Sequence, residues 1–161
     1  LHSLINEEII IMKIKIPTLE EWNDLCMFDQ LVILNKTVSE KEYIDIVRDW
    51  YTHSEFIHQD MQKWRDTFAS IKNTNLLMDN EELAFYKNLP NKITIYRGGY
   101  SKRGISWTLN KDIAEWFAKR FKPVNIPETV NTKVFKKEVY RDNCMAFFNC
   151  RKEEEIIYLF D

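Results

Sequence analysis

The chain has 161 residues, 45% of them hydrophobic and 30% charged, enough to bury one sizeable core and short for two. It contains no apolar run long enough to span a membrane, and a formal charge of −2 removes the electrostatic reason to expect a nucleic-acid backbone binder. Its three cysteines, Cys26, Cys144 and Cys150, are an odd number without Cys-x-x-Cys spacing, which argues against a disulfide framework or a zinc knuckle and for a reducing, cytoplasmic compartment.

In chain order, the first residues, LHSLINEEIIIM, carry Glu7 and Glu8 where a secretory signal would need positive charge, so no export signal is expected. Met12 followed by KIKIP reads as a natural start, with 1–11 either an upstream extension or part of a first strand. Lys outnumbers Arg sixteen to seven, the usage of an AT-rich genome such as that of a low-GC bacterium or its phage.

Helical patterns fill the chain up to about residue 90. A helix is expected from Thr18 to about position 28, where Thr18 caps and Glu21 completes a capping box. The same spacing recurs at Ser39 with Glu42 and at Asp79 with Glu82. Tyr43, Ile46, Val47 and Trp50 fall at helical spacing, as do Phe56, Met61, Trp64, Phe68 and Ile71, giving four helices in this half. His53 and His58, five apart at a helix boundary, have poor geometry for a metal or a triad, and surface or capping roles are expected.

After Pro90 the pattern changes to short strands at 92–97, 132–140, 145–148 and 155–160, with one amphipathic helix over 110–120 and a loop marked by Pro123 and Pro127. That helix is capped by Asn110 and carries Ala114, Trp116, Phe117, Ala118 and Phe121. Helices followed by strands predict an α+β fold: one domain over 1–161, with a helical lobe (1–90) packed on a small mixed or antiparallel sheet (91–161).

All three glycines, Gly98, Gly99 and Gly104, lie within seven residues. Glycine is used where φ is positive or where a ligand approaches the backbone, so the loop YRGGYSKRGISW is the first candidate site. Three pieces of chemistry surround it. Arg97 ends the strand ITIYR and runs into Gly98-Gly99, where its planar donor fork could meet a phosphate or carboxylate; taken alone, a surface arginine after an ordinary strand is the better reading. In an extended Ser106-Trp107-Thr108 both hydroxyls share one face and Trp107 points the other way into the core, although such hydroxyls commonly satisfy nearby backbone as turn and cap groups. Glu153, Glu154 and Glu155 precede the apolar Ile156-Ile157, so a run that is usually a solvated turn here carries acids towards the sheet, with Glu153 and Glu155 on one face.

Together, YRG, then GISWT with the helix DIAEWFAKRF, then CMAFFNCRKEEEIIYL resemble, in that order, the mono-ADP-ribosyltransferases of the arginine–serine–glutamate class, bacterial or phage type, over about residues 93–159. Family members place helices before a β core that binds NAD. The resemblance implies NAD as co-substrate and no metal. It makes Arg97 the group that holds the NAD phosphate and ribose, Gly98 the backbone that grips the nicotinamide carboxamide, Ser106 the support of the ribose and of the catalytic acid, and Thr108 the third position of the serine motif. Trp107 departs from the family's middle threonine. Glu155 corresponds to the catalytic glutamate and Glu153 to the acceptor-facing one, which in this family accompanies arginine acceptors. The implied partner is a target protein met by the loop from Phe147 to Lys152, with Phe147 or Phe148 as an apolar anchor, inside a bacterial host cell. A monomer is expected, without membrane or nucleic acid. Lys133, Lys136, Lys137 and Arg141 form a basic patch read as a solvated strand face, with a nucleic-acid acceptor as its alternative. An NAD glycohydrolase and an inactive binding module of the same fold are the rival classes.

Overall fold

The structure, a computed structural model, describes residues 16–55, 57–120 and 131–161. The expectations for 1–11, Met12, Phe56, Phe121, Pro123 and Pro127 lie outside the described residues. The chain divides into two compact units, 1–43 and 44–161.

The first unit holds helices α1 (Leu19–Asp24) and α2 (Met27–Thr37) and the start of α3 (Glu40–His53). The helix expected over 18–28 is therefore two. The Thr18/Glu21 capping box starts α1 as expected, but the Leu25 N–H turns back onto the Trp22 carbonyl, and Cys26 leaves the helix and becomes the N-cap of α2. At Ser39 the side chain accepts from the Glu42 N–H while the Glu42 carboxylate accepts from the Ser39 N–H, the second expected box.

In the second unit, α3 continues to His53 and is followed by a 3-10 turn at Ile57–Asp60, α4 (Met61–Ala69) and α5 (Asn80–Asn88). Asp79 and Glu82 close the third capping box at the start of α5. Five α-helices thus precede residue 90 among the described residues, against the four expected. Trp64, Phe68 and Ile71 are buried as their spacing predicts. On α3 the buried stripe is Tyr43, Ile44, Val47 and Tyr51, whereas Ile46 and Trp50 are only half-buried. Both stripes fit a helical period, and the choice falls to the one that gives Tyr51 edge-on aromatic partners, Trp64 at 5.2 Å and Phe68 at 5.0 Å.

The fold is α+β. Strands β1 (Lys92–Gly99), β2 (Ser106–Thr108), β3 (Lys133–Tyr140), β4 (Ala146–Phe148) and β5 (Glu155–Ile157) form one antiparallel sheet in the order β3-β1-β2-β5-β4. Helix α6 (Lys111–Arg120) runs between β2 and β3 in sequence and crosses β1, its Ala114 and Ala118 buried. A Cβ on Gly98 would overlap the Ala114 carbonyl and the Ala118 amide, so Gly98 is a glycine because helix and strand touch there. Of the three glycines only Gly99 has positive φ, at 150°.

Two expectations about surface groups are corrected. Phe147 and Phe148 are buried strand residues, the first stacked on Phe85 at 4.5 Å and the second 6.1 Å from the Tyr51 ring, so neither is an exposed anchor for a partner. The four basic residues do not make one face either. Lys133 and Lys137 alternate with Lys136 along β3, and Arg141 donates to the Lys87 and Leu89 carbonyls at the end of α5. Among the described residues no helix is long and apolar enough to cross a membrane.

Candidate functional site

A cleft of about 730 Å³ opens beside β1 and β2, a volume ordinary for a small-molecule site. It is lined by Arg97, Gly98, Ser106, Thr108, Glu153 and Glu155, the six residues singled out in the sequence, together with aromatic and cationic groups that include Tyr96, Tyr100, Arg103 and Arg120.

The sheet register brings the polar ends together. Thr108 pairs with Glu155 and Ser106 with Ile157, so the first residue of β5 lies beside β2. Glu155 is 2% exposed. Its Oε1 accepts from Ser106 Oγ at 2.6 Å and from the Tyr51 hydroxyl at 2.8 Å, and its Oε2 accepts from Arg151 Nη2 at 3.0 Å. A buried carboxylate is tolerated when its lone pairs are met in this way. Burial, and after it the charge of Glu155, pushes the Tyr51 phenol well above its usual range, so it stays a neutral donor.

Arg97 is held by its own loop. Nε donates to the Ser101 carbonyl at 3.2 Å and Nη1 to the Ser106 carbonyl at 2.7 Å. A Cβ on Gly104 would overlap the Arg97 guanidinium, so this glycine makes the seat for that side chain. Burial lowers the Arg97 pKa, partly offset by Tyr51, Tyr100 and Glu155.

The two hydroxyls of β2 divide the roles foreseen for them. Ser106 reaches the carboxylate, whereas the buried Thr108 donates to the Glu153 carbonyl at 2.8 Å and accepts from the Asn110 N–H at 3.0 Å. Thr108 thereby fixes the backbone of the acidic segment and the entry to α6, and the turn-and-cap role is the one it fills. Trp107 faces the core as expected, its indole N–H on the Gly104 carbonyl at 3.0 Å.

The three consecutive glutamates point to different places. Glu154 turns away to accept from Asn110 Nδ2 at 2.9 Å, while Glu153 and Glu155 both line the cleft. The segment achieves this with two non-glycine residues in the left-handed region, Lys152 (φ 57°) and Glu154 (φ 47°), flanking Glu153. Such a backbone persists only where its surroundings over-determine it. Here Asn149 accepts from the Glu154 N–H through its side chain and from the Lys152 N–H through its carbonyl, and the Glu154 carbonyl accepts from the Leu109 N–H. Burial lifts the Glu153 pKa; Arg151 opposes that rise and Glu155 adds to it.

Three members of this arrangement were not read as site residues from the sequence: Tyr51, Arg151 and Glu82, the last expected only as a capping-box residue. Arg151 bridges both cleft acids, 3.3 Å from Glu153 Oε2 and 3.0 Å from Glu155 Oε2. Glu82, 4% exposed, pairs with Arg48 at 2.7 Å and accepts from the Asn149 N–H at 2.8 Å, so the start of the loop is tied to α5. No group of three metal-ligating side chains is found among the described residues. His53 is exposed beside Asp49, and His58 lines the cleft.

No protein-family model matches the chain, and no curated protein or solved structure matches it at a significant level.

Proposed function

We propose that the protein is an NAD-dependent mono-ADP-ribosyltransferase that transfers ADP-ribose from NAD to an arginine of a target protein and releases nicotinamide. The observation that carries this reading is the meeting of Arg97, Ser106 and Glu155 in one cleft, with Ser106 Oγ 2.6 Å from Glu155 Oε1. Cleavage of the nicotinamide glycosidic bond develops positive charge on the ribose, as in glycoside hydrolysis. A buried, pre-oriented carboxylate stabilises such a cation without reorganising at the moment of reaction. Glu155 supplies that charge, with Ser106 and Tyr51 holding the carboxylate in place. Arg97, Arg103 and Arg120 suit a diphosphate, and Tyr96, Tyr100 and Phe117 offer faces for flat rings, so the cleft's composition fits a dinucleotide. Glu153 then orients the acceptor guanidinium and takes its proton.

Incubation with labelled NAD and bacterial lysate, followed by mass spectrometry of the labelled product, tests the reading. A hydroxylamine-labile protein adduct that the Glu153→Gln variant cannot form is the expected result. Free ADP-ribose as the only product would make the protein a glycohydrolase, and a nuclease-sensitive adduct would make nucleic acid the acceptor. The pH profile adds a second check. Glu153 must be ionised to take the proton, so transfer rises with pH through its pKa, and that pKa is raised by burial. The acid limb of arginine transfer should therefore lie above the ordinary glutamate value of about 4.3. In Glu153→Gln both the limb and the transfer should disappear while NAD cleavage persists.

The seat of Arg97 gives a separate expectation. Gly104→Ala puts a methyl group where the guanidinium sits, so it should displace that group from the Ser101 and Ser106 carbonyls and lower the melting temperature modestly without unfolding the protein. NAD affinity should fall by roughly 1.5–3 kcal/mol, the worth of a hydrogen bond to a charged group. Calorimetry showing unchanged affinity would remove Arg97 from the NAD site.

A further inference from the structure

The loop before β5 already holds a guanidinium where an arginine acceptor would sit. Arg151 Nη2 lies 3.0 Å from Glu155 Oε2 and 3.3 Å from Glu153 Oε2, and Nη1 donates to the Thr52 carbonyl at 3.2 Å. Its side chain remains 35% exposed, and the two acids it pairs with both line the cleft. The left-handed residues Lys152 and Glu154 alternate with Arg151, Glu153 and Glu155, and the three odd-numbered side chains meet while Glu154 is tied back to Asn110.

We propose that Arg151 is itself an acceptor: the protein attaches ADP-ribose to the Arg151 guanidinium in cis, a modification that rests on the transferase reading. In the step, a bond forms between an Arg151 Nη atom and C1′ of the nicotinamide ribose. The C1′–nicotinamide bond breaks, its electron pair leaving with neutral nicotinamide. The proton displaced from the guanidinium passes to the Glu153 carboxylate and then to water. NAD is the only co-reactant.

Two groups set the path of the proton. The guanidinium is protonated at rest, since burial lowers its pKa but Glu155 and Glu153 together outweigh that and raise it, so a nearby base is required. Glu153 is that base, and its own pKa is raised by burial, which makes it a better proton acceptor than an exposed glutamate. The adduct would remove Arg151 from between the two acids and leave its ADP-ribose in the cleft, so the modification limits further turnover of the same molecule.

The full chain is incubated with NAD, with and without agmatine as a small guanidinium acceptor, and digested for peptide mass spectrometry. The expected result is one ADP-ribose on the peptide carrying Arg151, formed at a rate per molecule that does not change when the protein is diluted. Arg151→Lys keeps the cation between the acids but has no guanidinium. It should show no adduct on that peptide under conditions in which wild type does, and an adduct of equal stoichiometry on the Arg151→Lys chain would overturn the inference. Agmatine modification or NAD cleavage by wild type without an adduct on Arg151 would overturn the inference and leave the enzymatic reading standing. An adduct on other arginines only, or one whose rate per molecule falls with dilution, would likewise overturn it. Absence of both NAD cleavage and any adduct would overturn the enzymatic reading and this inference with it.

Discussion

Glu155→Gln is expected to abolish both transfer and NAD cleavage in a protein that still folds. The amide matches the carboxylate in shape, and its oxygen can still accept from the Ser106 and Tyr51 hydroxyls that now meet at Oε1. Its amino group would face Arg151 Nη2, donor against donor, and Arg151 would keep Glu153 and the Thr52 carbonyl. The fold loses one bond of an ion pair, whereas the site loses the negative charge that the ribosyl cation requires. For one preorganised electrostatic group the expected cost is about 2–4 kcal/mol of transition-state stabilisation. NAD turnover and the thermal melt of the same preparation separate the two effects. Glu154→Gln is the control, because that carboxylate is turned to Asn110, and it should stay active. Activity in Glu155→Gln beside inactivity in Glu154→Gln would move the catalytic position by one residue.

How far the sequence reached follows the range of the interactions. All three capping boxes form at their expected residues, since a box needs only an i to i+3 spacing within one turn. Four strands were also readable, with Ile93, Ile95, Ile156 and Ile157 marking segments that the core buries, whereas the three-residue β2 was not among the expected strands. The helix α2 was not readable: MFDQLVILNKT mixes β-branched residues with a short apolar run, which serves strand and helix alike. The acidic frame was ambiguous for the opposite reason. Three identical residues in a row carry no periodicity, and only the left-handed backbone at Lys152 and Glu154 separates their directions.

Of the residues that the sequence did not mark for the site, Tyr51 and Glu82 have partners far along the chain, whereas Arg151 meets acids two and four positions away only because the intervening backbone turns left-handed. Tyr51 is separated from Glu155 by 104 positions, and nothing in α3 marks it out from Trp50 beside it. Gly98 and Gly99 line the cleft, but the reason that drew attention to the glycine cluster is incomplete. Gly98 is dictated by the passage of α6 and Gly104 by the Arg97 guanidinium, so two of the three report packing within the protein. Both still shape the cleft, because what they pack against is the strand and the arginine that line it.

Glu82→Leu is expected to be the most destabilising single change outside the apolar core. Glu82 first serves α5 as a capping-box residue, accepting from the Asp79 N–H at 3.0 Å. It also forms a forked pair with Arg48, Oε2 to Nη1 at 2.7 Å and Oε1 to Nη2 at 3.0 Å, and takes the Asn149 N–H at 2.8 Å. With the side chains of Glu82 and Arg48 only 5% and 19% exposed, removing the acid leaves a largely buried guanidinium, held over the Phe148 ring at 5.3 Å, with the more exposed Asp79 at 3.9 Å as its remaining counter-charge. Breaking one side of such a pair costs about 3–5 kcal/mol, which should appear as a lower urea midpoint at unchanged slope. The double variant Arg48→Met with Glu82→Leu removes the stranded charge and should recover most of that loss. It should not recover the anchoring of Asn149, whose N–H would still lack its acceptor at a cost of about 1–3 kcal/mol. Because Asn149 organises the turn that sends Glu153 and Glu155 into the cleft, the double variant should be more stable than Glu82→Leu alone yet slower than wild type in NAD cleavage. Equal activity in the double variant and wild type would show that the loop holds its shape without Glu82, and a single-variant cost below about 1 kcal/mol would show that water reaches Arg48.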